Sequence, residues 1–148
     1  VRSDKTVTVI GLGSMGLGAA MSLLRAGFHV KGVDVRQEVL QRFEAEGGEA
    51  FSTAAEAGSS DVVFVFVVNS DQAEDVLFGT QGALVNAAQG TVFLLCVTMA
   101  PSVTVEIAAR SAPSSSRHAG YRRTSFRRPP EGSHRRNDCD GVWLKSGL

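Results

Sequence analysis

The chain has 148 residues, 43% hydrophobic and 20% charged, with 15 basic and 15 acidic side chains. That is enough for one domain with a real core. It carries no apolar run of spanning length and no basic-then-apolar leader, which argues against a helical membrane protein and for a cytoplasmic one. Its two cysteines, Cys96 and Cys139, are too few for a disulfide framework and fit a reducing compartment. Cys96 sits in an apolar run and is expected to be a small core residue.

The first strand is expected at Val7, Val9 and Ile10, a β-branched run suited to burial on both faces. It leads into Gly11, Gly13 and Gly16, spaced G-x-G-x-x-G. Gly11 allows a sharp turn off the strand, Gly13 lets the backbone approach a pyrophosphate, and Gly16 lets the next helix pack closely on the sheet. That helix is predicted over residues 14–25, with Met15, Ala19, Ser22 and Leu23 along one side and Gly27 ending it in a left-handed conformation. Its N-terminus offers unpaired N–H groups and a positive dipole end to phosphates. Residues 30–33 make the second strand, and Asp34 closes it 18 residues after Gly16. Strand, glycine turn, helix, strand and acid in that order form the layout of a dinucleotide-binding βαβ unit. An acid at this point accepts hydrogen bonds from both ribose hydroxyls of NAD and repels the 2′-phosphate of NADP. Arg36 works the other way, since a guanidinium there could hold a phosphate. NAD is the expected cofactor, with NADP second.

Further along, Val39, Leu40 and Phe43 fit one face of a helix ending at Gly47 and Gly48. Ala50 and Phe51 make a short third strand, and Thr53 with Glu56 forms a capping box for a brief helix through Ala57. Residues 62–68, VVFVFVV, read as a central parallel strand. Asp71 is expected to cap the next helix, which carries Ala73, Val76 and Leu77 and stops at Gly79. A strand over 91–97 follows, and Pro101 opens a last helix bearing Val105, Ile107 and Ala108. The alternation predicts an α/β fold, a Rossmann-type doubly wound parallel sheet over residues 1–111. Ligands bind such sheets at the carboxyl ends of the strands. This singles out Asp34, the Val68-Asn69-Ser70 turn, and Thr98 with Met99. Asn69 and Thr98 are equally compatible with ordinary turn chemistry.

Several segments together resemble the β-hydroxyacid dehydrogenase family. The run Val9-IGLGSMG is similar to its N-terminal cofactor signature, with Met15 between the glycines. Val67-Val68-Asn69 followed by Val76-LFG-x-x-G-Ala83 resembles the turn and helix after its fourth strand. Thr98 falls where the family has a threonine close to the nicotinamide. The Val-Val-Asn turn brings the chain nearest to the branch acting on L-threonate. The resemblance covers residues 5 to about 111. It implies hydride transfer from a small hydroxy acid to NAD, with a lysine as general acid/base in a helical second domain and a D-A-P-x-S-G-G segment at the substrate carboxylate. The candidate cofactor-binding residues are thus Gly11, Leu12, Gly13, Ser14, Met15, Gly16, Asp34, Arg36, Val68, Asn69 and Thr98. No catalytic candidate emerges, because no lysine lies between Lys31 and Lys145, and no metal site is expected, His134, Asp138 and Cys139 of the tail being the weak reading set aside. The chain is therefore expected to be inactive alone, and no oligomer is expected without the helical domain.

The zero net charge conceals two unlike parts. Residues 1–111 carry 7 basic and 12 acidic side chains; residues 112–148 carry 8 and 3. The arginine-rich tail shows no helical or strand period and is expected to be disordered. Shifted by one base, its back-translation over 121–145 can spell D-A-P-L-S-G-G and, further on, G-E-M-T-V-M-A-S-G, so the tail reads as an out-of-frame stretch. The alternative is a non-catalytic protein whose tail binds single-stranded nucleic acid through Arg122-Arg123, Arg127-Arg128, Tyr121 and Phe126. The frameshift accounts for more of the residues, so nucleic acid is not the expected partner.

Overall fold

The computed structural model describes residues 4–111 and the backbone of 121–122 and 142–146. Five strands, β1 (Thr6–Ile10), β2 (His29–Val33), β3 (Glu49–Phe51), β4 (Val62–Val65) and β5 (Val92–Leu95), run parallel in the order β3-β2-β1-β4-β5. Between them lie α1 (Ser14–Arg25), α2 (Gln37–Ala45), α3 (Ala54–Ala57) and α4 (Ser70–Phe78), and α5 (Pro101–Ser111) follows β5. The chain winds outward from β1 through β2 to β3, then returns past β1 to β4. This reversal opens a crevice between β1 and β4 at the carboxyl ends of the strands, the usual ligand position in an open parallel sheet. Among the described residues no helix is long and apolar enough to cross a membrane.

Period-two alternation along the strands divides the core into two layers. On one face Val7, Val9, Val30, Leu40 and Phe43 pack with Leu12 and Ala20. On the other Ile10, Val33, Val63, Val65, Phe93 and Leu95 pack with Ala73, Leu77 and Ile107. This is the doubly wound α/β sheet that the alternating pattern predicts, and it needs both helix layers because its strands are apolar on both faces. The helix ends follow local chemistry. Gly27 takes φ +87°, with its N–H donating to Leu24 O (2.9 Å) and that of Phe28 to Leu23 O (3.1 Å), a left-handed termination. The capping box is present too: Glu56 N–H donates to Thr53 Oγ1 and Thr53 N–H to Glu56 Oε2.

Three expectations need correction. The inward face of α1 is Gly16 and Ala20, not the side carrying Met15, which is 72% exposed. Apolar residues surround this helix, so periodicity leaves its phase open, and the contact of Gly16 with the turn fixes it. The cap of α4 is Asn69 rather than Asp71. Asn69 has the extended backbone a cap requires (φ −146°, ψ 174°) and its side chain accepts from Gln72 N–H, whereas Asp71 is already inside the first turn. Cys96 is exposed, because β5 ends at Leu95 and the next residue stands at the rim; Cys139 lies outside the described residues.

Two short segments of the tail are described. Val142–Ser146 forms β7, antiparallel to β5 with Leu95 opposite Val142 and Phe93 opposite Leu144, and Tyr121–Arg122 forms β6 against β7. β5 would otherwise be an open sheet edge, and Val142-Trp143-Leu144 is the tail's longest apolar, β-prone run. The expectation of disorder for the remaining tail concerns residues outside those described. So does most of the proposed nucleic-acid surface, including Arg123, Phe126, Arg127 and Arg128.

Candidate functional site

The three glycines of the turn have different causes. Gly11 sits at φ +87°, its N–H donating to Val33 O at 2.8 Å. A Cβ there would lie 1.9 Å from Phe66 O, because the chain leaving β4 presses against the turn. A Cβ on Gly16 would lie 1.8 Å from Gly11 O. The fold therefore requires both. Gly13 is different: its backbone is ordinary (φ −69°, ψ −168°) and a Cβ would meet nothing within 4 Å. Nothing in the chain requires a glycine here, and what its bareness leaves is room in front of α1.

That room faces an uncapped helix end. Leu17 N–H makes the first intrahelical bond, to Gly13 O at 2.8 Å, so the N–H groups of Ser14, Met15 and Gly16 have no partner within the helix. No side chain caps α1 and no acid stands in its first turn, whereas α3 and α4 are capped by Thr53 and Asn69. Bare N–H groups with a positive dipole end form an anion site.

Asp34 is buried (8% exposed) and is no solvated turn residue. Its Oδ2 accepts from Leu12 N–H at 2.8 Å and Arg36 Nη2 at 2.9 Å. Its Oδ1 accepts from the backbone N–H and Nε of Arg36, both at 2.9 Å. The Arg36 guanidinium holds the Asp34 carboxyl below its ordinary value; burial opposes this, and the backbone N–H groups of Arg36 and Leu12 reinforce it. The carboxylate thus ties the end of β2 to the glycine turn. The bond to Leu12 was not foreseen from the sequence; parallel pairing that puts Ile10 beside Val33 makes it possible.

The remaining candidates lie along the same edge. Val68 is 83% exposed, and its N–H donates to Gln72 Oε1 (3.0 Å) while Asn69 Oδ1 accepts from Gln72 N–H (2.9 Å). Asn69 is thus occupied in holding the turn that displays Val68. Thr98 is exposed, three residues past β5. Val35 was missed in the sequence, although a β-branched residue directly after the strand-ending acid was there to see. It is 92% exposed, and with Met15 and Val68 it gives this edge three large apolar side chains in water. Among the described residues no cluster of three metal-ligating side chains occurs. A groove of about 410 Å³ lies at the opposite, amino end of β2, lined by Met21, Leu24, Phe28, His29 and Glu46 among others. It has no N–H cradle, so the chemistry favours the carboxyl edge.

Residues 6–120 match the family described as the NAD binding domain of 6-phosphogluconate dehydrogenase. The chain belongs to this family. As an NAD-binding domain of this kind it is 46% identical over 110 residues to L-threonate dehydrogenase of Cupriavidus necator, covering 74% of this chain and 37% of the relative. It is 36% identical over 112 residues to L-threonate dehydrogenase of Escherichia coli K12, again covering 74% and 37%. Among solved structures, 3-hydroxyisobutyrate dehydrogenase from Salmonella typhimurium superposes with a TM-score of 0.69 at 37% identity, over 73% of this chain and 38% of that one. The enzyme from Mycobacterium tuberculosis does so with a TM-score of 0.65 at 26% identity, over 72% and 36%. The chain spans a little over a third of the length of these relatives. The resemblance to β-hydroxyacid dehydrogenases and the choice of NAD as cofactor are borne out.

Proposed function

We propose that this NAD-binding domain holds its dinucleotide along the carboxyl edge of the sheet and serves the oxidation of a small hydroxy acid, L-threonate being the substrate that the names of its relatives favour. The observation that carries this is Gly13, whose missing side chain serves nothing inside the chain. In this reading the pyrophosphate sits over Gly11, Leu12 and Gly13, facing the N–H groups of Ser14, Met15 and Gly16. Asp34 receives the adenosine ribose beside Arg36. Val68, presented by the Asn69 cap, covers the adenosine half, and Thr98 approaches the nicotinamide. NAD supplies the hydride acceptor; the chain's own part is to bind and orient it. Calorimetric titration of the 148-residue chain with NAD tests this. Binding that disappears in a folded Gly13→Val variant supports the reading, and wild-type protein that takes up no NAD overturns it.

The chain alone is proposed to bind without turning over. No lysine lies between Lys31 and Lys145 to act as the acid/base that the family resemblance implies. Oxidation of L-threonate by the purified chain above a heat-killed control would refute this. The tail from 112 to 148 is proposed to be translated out of frame. Resequencing the gene across the codons for 105–125 separates its two causes: one base that restores the frame makes the tail an artefact, and an unchanged sequence places the shift in the gene itself.

A further inference from the structure

We propose that Arg36 is an internal competitor for the ribose: its guanidinium fills the two acceptor positions on Asp34 that the vicinal hydroxyls of NAD need, and once displaced it becomes the group that admits NADP. The inference rests on the proposed dinucleotide site and adds to it a device that sets affinity and cofactor choice.

A carboxylate offers about four acceptor positions, and on Asp34 all four are taken. Each oxygen receives one backbone N–H and one guanidinium N–H: Leu12 and Nη2 on Oδ2, Arg36 N and Nε on Oδ1. The backbone bonds belong to the turn and to the chain leaving β2, and they do not move without refolding either. The guanidinium bonds belong to a side chain that is 57% exposed, set against an Asp34 side chain exposed by 6%. Rotation about the arginine's own torsions sends it into water and leaves Asp34 in place. Each oxygen then keeps one backbone donor and one open position, and two open positions on adjacent oxygens match two adjacent hydroxyls. Arg36 thus occupies the carboxylate in the bidentate manner that the ribose diol requires.

The displaced guanidinium stays tethered two residues from Asp34, at the position a 2′-phosphate would reach. Asp34 alone would repel that phosphate, and a neighbouring guanidinium offsets the repulsion by a charge-assisted pair. The same side chain therefore weakens NAD and strengthens NADP, narrowing a preference that the acid alone would make wide.

The test is calorimetric titration of NAD and of NADP into the full chain and its Arg36→Ala and Arg36→Lys variants, with circular dichroism to show that each is folded. Arg36→Ala is expected to tighten NAD about two- to fivefold, the range of a partly exposed ion pair, and to weaken NADP. The NAD-to-NADP affinity ratio should widen by about tenfold or more. Arg36→Lys keeps the charge but loses the fork, so it should tighten NAD while retaining NADP. NAD binding that is unchanged or weaker in both variants overturns the competitor role while leaving the site itself intact. If wild type and both variants all fail to take up NAD, the proposed site fails and this inference falls with it.

Discussion

The two ends of one sheet are finished in opposite ways. At the amino end the chain satisfies itself. Thr8 Oγ1 and Ser60 Oγ share a buried hydrogen bond of 2.7 Å, Thr91 Oγ1 donates to Ser60 O at 2.8 Å, and Lys31 Nζ donates to Ala57 O at 2.7 Å. Lys5 pairs with Asp61 and His29 with Glu49. At the carboxyl end Asp34 and the starts of α3 and α4 are partnered, but α1 starts without a side-chain cap, Gly13 guards nothing, and Met15, Val35 and Val68 stand in water. Burying a polar group demands a partner, so the end that closes on itself is structural. The end that does not is the one proposed to receive the dinucleotide.

The strongest way to break this contrast is through the glycines. Gly11→Ala and Gly16→Ala put a Cβ within 2 Å of a backbone oxygen, and each is expected to cost several kcal/mol, on the order of the stability of a small domain. Urea unfolding should find neither variant natively folded. Gly13→Val is expected to unfold within about 0.5 kcal/mol of wild type and yet to lose NAD affinity by more than about tenfold. Equal destabilisation of all three would remove the distinction between fold glycines and a ligand glycine.

Next in size is Asp34, which ties the turn to β2 and is proposed to receive the ribose. Asp34→Ala leaves the Leu12 N–H without its acceptor and is expected to cost about 1–3 kcal/mol, with NAD affinity falling as well. The pH dependence has a definite sign. The folded carboxyl titrates below the ordinary value of 3.8, so its contribution is present in full above that value and disappears as pH falls through the lower, folded one. Acid unfolding of the Asp34→Asn variant should lack this component, and an unaltered acid limb would mean that the pair with Arg36 does not form in solution.

The amino end provides the converse. Thr8→Val removes one partner of a buried hydroxyl pair and is expected to cost about 1–2 kcal/mol with NAD affinity unchanged. A loss of affinity there would show that the two ends are coupled. Smallest is Asn69→Ala, which removes a cap and should lower the melting temperature by about 4–8 °C, the equivalent of about 1 kcal/mol in a domain of this size. Its NAD affinity should move by less than about threefold. A larger change would give Asn69 a direct role at the ligand beyond holding Val68.

Much of this was written in the residues themselves. The glycine spacing, the strand-ending Asp34, the capping box at Thr53 and Glu56, and Gly27 after α1 are local features, each governed by backbone sterics or a hydrogen bond spanning a few positions. Such features survive reading one residue at a time. The phase of α1, the exposure of Cys96 and the strand at Val142–Ser146 did not, because each depends on what lies beside it in space. Asn69 rather than Asp71 capping α4 was a near miss of two positions, decided by which residue leaves β4 extended.

The sequence by itself determined the parallel sheet, its two helix layers and the edge proposed for the dinucleotide, since periodicity and turn chemistry are local and additive. Only the tertiary structure decided that the fold needs Gly11 and Gly16 and does not need Gly13. It alone also showed that Asp34 binds Leu12 across two strands and is already held by Arg36. The approach of Phe66 O to Gly11 and the bond from Leu12 to Asp34 join segments 20 or more residues apart in the chain, and distance in space is what a linear pattern does not contain.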